Sequence, residues 1–438
     1  MIRKSLQHFV LFLGDIGAFY IALLATLFVD SPRLALFNFQ GYFLPFSLIL
    51  IIWLVVFYIG ELYDFHHFKN IVDMAKLFTI IIFVCVGLTI AFFYLTANIF
   101  GISPKTNLLI LIIVFSGLSL YLRFLVSHNL QRYKTKTFFI NPEKESLQLI
   151  DYLKNSAQLG YEPIIATEIN QLKDYLADLK KNKPEAIVVL PSNLLANKKI
   201  TKLIYENLRE NIDVVTTEEF YEIIFKKLPV NDLNESWFLN NIAKPKIYTK
   251  IKYAIEPILA VFIFIVLLPL LVLIAFIVKI TSIGPIIYTQ KRIGRDGKIF
   301  TLYKFRTMIK DAETGGPQWA EKKDARTTAV GKILRHTHLD ELPQIINIIK
   351  GELSFVGPRP ERPEFVLELK NQIPFYEIRH IGKPGIAGWA QLNYRYGASV
   401  QDAYKKLEYD LYYLKNNSFI LDVIIILKTI KRLFIQAN

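Results

Sequence analysis

Two adjacent acids, Asp340 and Glu341, are the residues best suited by type and position to carry chemistry. They lie in the run 335–344 (RHTHLDELPQ), just before a helical pattern of isoleucines. Pro343 falls in the opening turn, so both carboxylates lie near a helix start, where free amides and the helix dipole favour negative charge. An acid pair in this position often only caps the helix, so the spacing alone leaves capping and catalysis both open.

Basic residues flank this run in patterns that suit phosphate binding. Lys304 and Arg306 alternate with aromatic residues in a strand-like stretch, 303–308 (YKFRTM), after the glycine-containing run 290–297 (QKRIGRDG). For the individual lysines of these runs, contact with anionic lipid is at least an equal alternative, whereas a functional role is favoured for Lys304 and Arg306. Arg359 lies between Pro358 and Pro360, which fix its backbone, and it can offer a planar fork of donors to a phosphate or a pyrimidine edge. Rigid basic turns also occur as plain structure.

His336 and His338 lie close to the acid pair. Their spacing predicts that they share one side of an extended segment. A metal site would need at least one more ligand type nearby. We therefore interpret both as structural or substrate-neighbouring residues.

The composition predicts the kind of scaffold that must position these residues. Of 438 residues, 53% are hydrophobic, which exceeds an ordinary soluble protein and predicts lipid-facing segments. The net charge of +14 is compatible with nucleic acid or an anionic membrane, and the apolar runs favour the membrane and no nucleic acid. Cys85 is the single cysteine, so a disulfide framework and a thiolate zinc site are excluded.

Four apolar stretches are long enough to cross roughly 30 Å of hydrocarbon: 9–29, 43–63, 78–97 and 108–126. They predict a four-helix transmembrane bundle within residues 1–130. The excess of basic residues alternates between the loops, which places the N-terminus and everything after residue 126 in the cytoplasm. Asp15 lies inside the first stretch with no plausible cationic partner, and we interpret it as an acid facing the bundle interior or a nearby interface rather than a transport site.

Residues 137–229 change character to short apolar strands that alternate with charged helical patterns. This alternation predicts a small, Rossmann-like parallel α/β domain. A dinucleotide site would need a glycine-rich turn after the first strand, and the run 141–146 (NPEKES) has no glycine. A structural or regulatory domain is therefore favoured over a cofactor site. Residues 230–249 are predicted to be a linker or docking segment.

The stretch 254–278 is almost wholly apolar, contains Pro269 near its middle and has lysines or arginines on both sides. A fifth spanning helix is the simple interpretation. An interior proline removes a hydrogen bond and clashes with the preceding turn, so a bend at Pro269 would let the helix enter and leave on one face. Because both flanks have cytoplasmic character, we predict a proline-kinked re-entrant helix.

Taken in order, the segments from about residue 250 onward resemble the polyprenyl-phosphate hexose-1-phosphate transferases, the monotopic phosphoglycosyl transferase superfamily. The proline-broken helix is followed by five further motifs: QKRIG, KFRTM, LDELPQ, VGPRP and KPGIAGWAQ. The leading helices and the middle domain are similar to the long form of the family. Where the family often has a Lys-Arg-x-x-Asp motif before the re-entrant helix, this chain has Lys252, Tyr253 and Glu256.

The resemblance implies a bacterial inner (cytoplasmic) membrane protein, multi-pass, with an α/β catalytic domain in residues 250–438 on the cytoplasmic face. It implies that Asp340 is a nucleophile that receives a sugar phosphate from a UDP-sugar, releasing UMP, and that polyprenyl phosphate then accepts it. Glu341 would hold Mg2+, and Arg359 with Pro358 and Pro360 would bind the uridine diphosphate. Lys304, Arg306 and Asp410 are expected in the active site on the same ground. Long family members also suggest a homodimer.

Two other functions remain open from the sequence. A scaffold without activity would recruit partners through the middle domain, but the intact acids and Arg359 disfavour it. A transporter built on the four helices and Asp15 would have few helices beside a large cytoplasmic part. The sequence does not identify the sugar or the polysaccharide pathway.

Overall fold

The computed structural model describes residues 2–30, 35–64, 70–100, 106–166, 171, 186–206, 212–242, 246–309, 326–394, 397 and 399–436. The chain divides into two compact units, Met1–Thr217 and Glu218–Asn438. Five helices among the described residues are long and apolar enough to cross a membrane: Gln7–Val29, Phe39–Ile59, Ile71–Leu95, Leu108–Leu130 and Ile247–Thr281. The chain therefore has the character of a membrane protein.

The first unit begins with the helices Ile2–Asp30, Ala35–Ile59, Ile71–Leu95, the short Ala97–Phe100 and Thr106–Arg132. The predicted spans 9–29 and 108–126 lie inside helices, whereas 43–63 runs past Ile59 and 78–97 runs past Leu95. The four long helices share one apolar core, in which Trp53 packs edge-on against Phe19 and Phe115 with ring centroids 5.4 and 5.1 Å away. The Trp53 indole N–H donates to the Thr89 hydroxyl at 2.8 Å, which satisfies its polar atom inside the core. Three loop cations used to predict the orientation lie outside the described residues: Arg33, Lys69 and Lys105.

Asp15 has a cationic partner, so the interpretation that it has none is wrong. The Arg123 guanidinium donates to both carboxylate oxygens of Asp15, at 2.8 and 2.9 Å. Ser119 and Tyr63 add hydroxyl donors at 2.6 and 2.8 Å. Arg123 and Asp15 are 0% and 1% exposed, so the pair faces the interior of the helices. Arg123 lies inside the predicted span 108–126, and the apolar pattern around it does not indicate that its guanidinium meets Asp15.

The middle of the chain forms the predicted parallel α/β sheet. Its strands are β1 (Thr135–Ile140), β2 (Tyr161–Ala166), β3 (Ala186–Leu190) and β4 (Ile212–Thr216), in the order β2-β1-β3-β4 and all parallel. The helices between these strands in sequence are Lys144–Lys154 and Lys198–Glu206; the helix Thr217–Phe225 follows β4 in sequence and belongs, from Glu218 onward, to the second unit. Every residue of β3 is buried, as expected for a central parallel strand covered on both faces.

The second unit is built around an apolar core under the C-terminal helices. Leu407 and Leu411 are fully buried there, with Val356 beside them. The predicted linker segment contributes Val230 and Phe238 to the same cluster, so these residues pack as part of the unit. Three described helices of this unit are long: Ile247–Thr281, Val400–Asn416 and Phe419–Gln436. Others are short: Glu235–Asn241, Ala329–His336, Ile345–Ile349, Pro363–Gln372 and Trp389–Asn393.

The long apolar helix, Ile247–Thr281, is one continuous helix of 35 residues with Pro257 and Pro269 inside it. It extends the predicted stretch at both ends. Most of its apolar side chains are exposed, and the buried ones include Ala260 and Val278, which pack on the residues that follow. Such a surface favours lipid contact. The re-entrant path of this helix through the membrane stays a prediction.

Two small sheets follow the long apolar helix. β5 (Ile287–Ile293) and β6 (Ile299–Phe305) form an antiparallel hairpin, and β7 (Ser354–Val356) pairs in parallel with β8 (Gly385–Ala387). At the second sheet a Cβ on Gly385 would lie 2.0 Å from the Gly357 nitrogen, so this close backbone approach requires glycine. The residues from Gly357 onward carry Arg359.

Candidate active site

Asp340 and Glu341 lie in a 3-10 turn, Leu339–Gln344, that leads into the helix Ile345–Ile349. The turn begins at His338, whose φ of 55° is unusual for a residue other than glycine and marks a constrained backbone. His338 at the N-cap makes no side-chain hydrogen bond to the turn. Asp340 and Glu341 lie in the first turn after it, where the helix dipole favours their negative charge.

Glu341 is held by two cations. Its Oε1 accepts from Lys304 Nζ at 2.6 Å and from Arg359 Nη2 at 3.0 Å. Burial alone would raise the pKa of Glu341, but the attraction of Lys304 and Arg359 outweighs it and holds that pKa well below its usual range. Glu341 is therefore a permanent anion that joins β6, the acidic turn and the loop of Arg359.

Asp340 is 7% exposed and makes no hydrogen bond with any residue in the described part of the chain. Burial raises its pKa, and the neighbouring Glu341 adds to this, whereas Lys304, His338 and Arg335 lower it. A carboxylate without a hydrogen-bond partner keeps its lone pairs available. A carboxylate beside Lys304, Arg335 and His338 is chemically able to attack an incoming anion.

The loop of Arg359 is fixed from both sides through its backbone. Arg292 donates to the Pro360 carbonyl at 3.0 Å, and Arg379 donates to the Arg359 carbonyl at 3.1 Å. Pro358 and Pro360 restrict the same backbone further. The rigid loop directs the Arg359 side chain, which is 41% exposed, to Glu341.

Asp410 lies beneath this loop rather than beside Glu341. It is 1% exposed, and its Oδ2 accepts from Arg379 at 2.7 Å. Burial raises the pKa of Asp410 to about 6 against the attraction of Arg379. Because Arg379 also donates to the Arg359 carbonyl, Asp410 supports the loop indirectly, through Arg379.

Arg306 follows β6 directly and binds the end of the long apolar helix. Its Nη2 donates to the Ser282 carbonyl and hydroxyl, both at 2.6 Å. A cation at a helix C-terminus stabilises the unpaired carbonyls there. Gly284, with φ of 129°, makes room for the guanidinium, since a Cβ would lie 2.1 Å from Nη1. Lys304 and Arg306, which the sequence predicts in the same site, thus bind different partners: Lys304 contacts Glu341, and Arg306 contacts the end of the long apolar helix.

A buried ion pair ties the other end of the long apolar helix to the Arg359 loop. Lys252 lies 2.7 Å from Asp422 and donates to the Val356 carbonyl at 2.7 Å. One turn later, Glu256 accepts from the Ser354 hydroxyl at 2.7 Å. Both charges are more than nine-tenths buried. Lys252 and Glu256, near the N-terminal end of the helix, therefore set the position of β7, which ends three residues before Arg359.

The two histidines do not share an extended segment, so that prediction is wrong. His336 ends the helix Ala329–His336, and His338 adopts the left-handed conformation that starts the acidic turn. No cluster of three or more His, Cys, Asp or Glu side chains suited to a metal occurs among the described residues. Mg2+ does not need such a cage, because it commonly takes one or two carboxylates together with waters and substrate phosphates. Glu341 fits this donor set, since it stays ionised and both of its described bonds use Oε1, not Oε2.

Sequence patterns did not identify Arg292 and Arg379 as supports of the site. Arg292 was visible within the basic run 290–297, but Arg379 lies in a short turn, Tyr376–His380, outside the motifs used above. Their targets are backbone carbonyls 68 and 20 residues away, which no local spacing reveals.

Known proteins resemble the part of the chain that carries the candidate site. Residues 247–436 match the model of the family described as bacterial sugar transferase. An uncharacterized sugar transferase of Bacillus subtilis, EpsL, is 39% identical over 166 residues, and the match covers 76% of that protein and 37% of this chain. This chain belongs to the bacterial sugar transferase family. Its N-terminal helices fit a long form of such proteins.

Two relatives that are longer than EpsL carry more specific names. A UDP-N-acetylgalactosamine-undecaprenyl-phosphate N-acetylgalactosaminephosphotransferase of Aeromonas hydrophila is 39% identical over 221 residues, 50% of this chain and 52% of that protein. A UDP-glucose:undecaprenyl-phosphate glucose-1-phosphate transferase of Klebsiella pneumoniae is 42% identical over 178 residues, 40% of this chain and 38% of that protein. The matched part thus spans about half or less of these relatives.

Proposed function

We propose that this chain transfers a sugar 1-phosphate from a UDP-sugar to polyprenyl (undecaprenyl) phosphate, releasing UMP and starting the synthesis of an O-antigen, capsule or exopolysaccharide. The observation that carries the proposal is the Asp340 carboxylate, buried and without a hydrogen-bond partner in the described part of the chain, next to the cation-bound Glu341. The names of the Aeromonas and Klebsiella relatives support the same class of donor and acceptor.

In the first proposed step, a carboxylate oxygen of Asp340 attacks the sugar-bearing phosphorus of the donor. A new bond forms between that oxygen and phosphorus, and the bond from phosphorus to the bridging oxygen of UMP breaks. UMP leaves with the electron pair, and the sugar phosphate stays on Asp340 as an acyl phosphate. A carboxylate is a competent phosphoryl acceptor, and covalent catalysis divides one difficult transfer into two easier ones.

In the second step, a phosphate oxygen of the polyprenyl lipid attacks the same phosphorus. The bond to Asp340 breaks, the carboxylate is regenerated, and the product is a polyprenyl diphosphate sugar. One carboxylate thus serves a soluble donor and a membrane acceptor in turn.

The cations around Asp340 would let one anion approach another. Lys304, fixed on β6 at 2.6 Å from Glu341, lies where it can neutralise the diphosphate. The preorganised Arg359 loop would bind the uridine diphosphate. Glu341 would hold Mg2+, which when bound supplies further charge neutralisation at the diphosphate. Arg306 and Asp410 would act by positioning, through the helix end and through Arg379.

The membrane arrangement follows from the same proposal. The first four apolar helices would span the inner membrane as a bundle, and the long apolar helix would bend at Pro269 and return, which keeps the site at the cytoplasmic face. A cysteine placed at Lys298, in a chain with Cys85 replaced by serine, should react with a membrane-impermeant thiol reagent only from the cytoplasmic side. Labelling from the periplasm would mean that the helix crosses.

The activity itself is tested by UMP release from a panel of UDP-sugars, with purified full-length protein, Mg2+ and polyprenyl phosphate. We expect release with at least one donor, dependent on the lipid. The matched control is Asp296→Asn, an exposed acid in the hairpin turn that should retain full activity. A non-enzymatic scaffold predicts no release with any donor, and that result would reject the proposal.

A further inference from the structure

Two cations lie against the ring of Tyr253, near the N-terminal end of the long apolar helix. The Lys383 ammonium lies 4.6 Å from the centroid of the Tyr253 ring, and the Arg295 guanidinium carbon lies 5.6 Å from it. The backbone N–H of Lys383 donates to the Tyr253 hydroxyl at 2.8 Å, which fixes the ring against this segment. Tyr253 thereby joins the turn between β5 and β6 to the segment that precedes β8.

The Lys383 ammonium makes no ion pair or hydrogen bond with any residue that the structure describes. It is partly buried, and burial lowers the pKa of Lys383, to which Arg295 and Lys252 add while Glu256 opposes them. The face of an aromatic ring offsets part of the cost of burying a cation. An anion supplied from outside the chain would offset the rest. It would also meet Arg295, whose Nε lies 3.4 Å from the exposed carboxylate of Asp296.

The surroundings of the two cations favour a lipid as the source of that anion. Tyr253 directly precedes the apolar stretch 254–278. Ile381, two residues before Lys383, and Ile299, which opens β6 after the Arg295 turn, are 39% and 59% exposed. Exposed apolar side chains next to cations suit the boundary between phosphates and acyl chains. A soluble anion would leave these isoleucines in water.

We propose that Lys383 and Arg295, gathered on the Tyr253 ring, bind the phosphate of an anionic phospholipid at the membrane surface. The ring, hydrogen-bond and ion-pair contacts of Lys383 and Arg295 with the described residues involve Tyr253 and Asp296, and none of Asp340, Glu341 and Arg359. The inference goes beyond the proposed reaction and does not depend on it.

Native mass spectrometry of the detergent-solubilised, full-length protein can test this site by measuring the apparent Kd for phosphatidylglycerol and for phosphatidylcholine. We expect wild type to prefer phosphatidylglycerol. Lys383→Gln and Arg295→Gln should each weaken that binding about fivefold, as one interfacial charge does. The double variant should lose the preference, and Lys383→Arg should keep it. The matched control is Lys291→Gln, an exposed lysine of the same hairpin whose amine bonds Thr301.

Two results would overturn the assignment directly: equal binding of both lipids by wild type, or an unchanged Kd in a double variant that unfolds at the wild-type temperature. Competition separates the two phosphate lipids. Displacement of phosphatidylglycerol by polyprenyl phosphate at a lower concentration than by unlabelled phosphatidylglycerol would assign the site to the acceptor and refute the phospholipid proposal. Because the assay uses no UDP-sugar, its failure is distinct from a failure of UMP release.

Discussion

The buried pair of Asp15 and Arg123 should be essential to the stability of the N-terminal helices. Asp15→Asn keeps the size of the side chain and removes its charge, so Arg123, which is 0% exposed, loses both charged hydrogen bonds. Breaking one side of a buried ion pair costs about 3–5 kcal/mol, and we expect this loss in the free energy of unfolding. Arg123→Met should cost a similar amount. The double variant removes both charges and should cost no more than either single one, so the coupling energy should be about 3 kcal/mol or more.

Cys85 provides an assay specific to these helices. It is the single cysteine of the chain, and it is 0% exposed in the core that the four helices share. Its reaction with a thiol dye, followed as dodecyl sulfate is added to a mild detergent, therefore reports the opening of that core. Asp73→Asn is the matched control, since Asp73 is an exposed acid in the first turn of a helix and should cost less than about 1 kcal/mol. A cost for Asp15→Asn below about 1 kcal/mol, or strictly additive single variants, would refute the reasoning.

Three further predictions concern the candidate active site. Lys304→Met removes the 2.6 Å hydrogen bond from Lys304 to Glu341. Because a hydrogen bond to a charged group contributes about 1.5–3 kcal/mol, kcat/KM for UMP release should fall about 10- to 100-fold. A fall of less than about threefold would argue against the role of Lys304. Arg359→Lys keeps the charge and loses the planar fork, so it should raise the KM for the UDP-sugar more than it lowers kcat, whereas a loss confined to kcat would contradict donor binding. Burial raises the pKa of Asp340, so the acid limb of the pH profile of kcat/KM, where protonation removes the nucleophile, should lie above the ordinary aspartate value of 3.8. Because Lys304 lowers the pKa of Asp340, Lys304→Met should move this limb to higher pH. A limb that moves to lower pH in that variant would exclude Asp340 as the titrating group.

Local patterns predicted the elements well because they depend on neighbouring residues. The apolar stretches 9–29 and 108–126 lie within observed helices, 43–63 and 78–97 begin within helices but run past their ends at Ile59 and Leu95, and the strand run 186–190 is found as β3. The alternation of cations and aromatics placed Lys304 correctly on β6. Each of these features is written in a window of a few residues, through the periods of a helix or a strand.

The partners of the charged side chains could not be predicted in this way. Asp15 meets Arg123 across 108 positions, and Arg306 meets Ser282 across 24, so neither pairing has a periodic signature. His338 departs from the extended segment because it takes a left-handed conformation, which a motif does not indicate for a histidine. The burial of Val230 and Phe238 likewise depends on a surface formed by residues much later in the chain.

The most direct test of the central claim is covalent trapping of sugar phosphate on Asp340. Purified protein should be incubated with Mg2+ and a UDP-sugar that carries a radiolabelled sugar, without lipid acceptor, and the protein then digested and mapped. We expect label on the peptide that contains Asp340, release of the label on addition of polyprenyl phosphate, and no label in Asp340→Asn. Label retained by the Asp340→Asn variant, or sugar transfer by wild type without any labelled protein, would contradict the covalent mechanism.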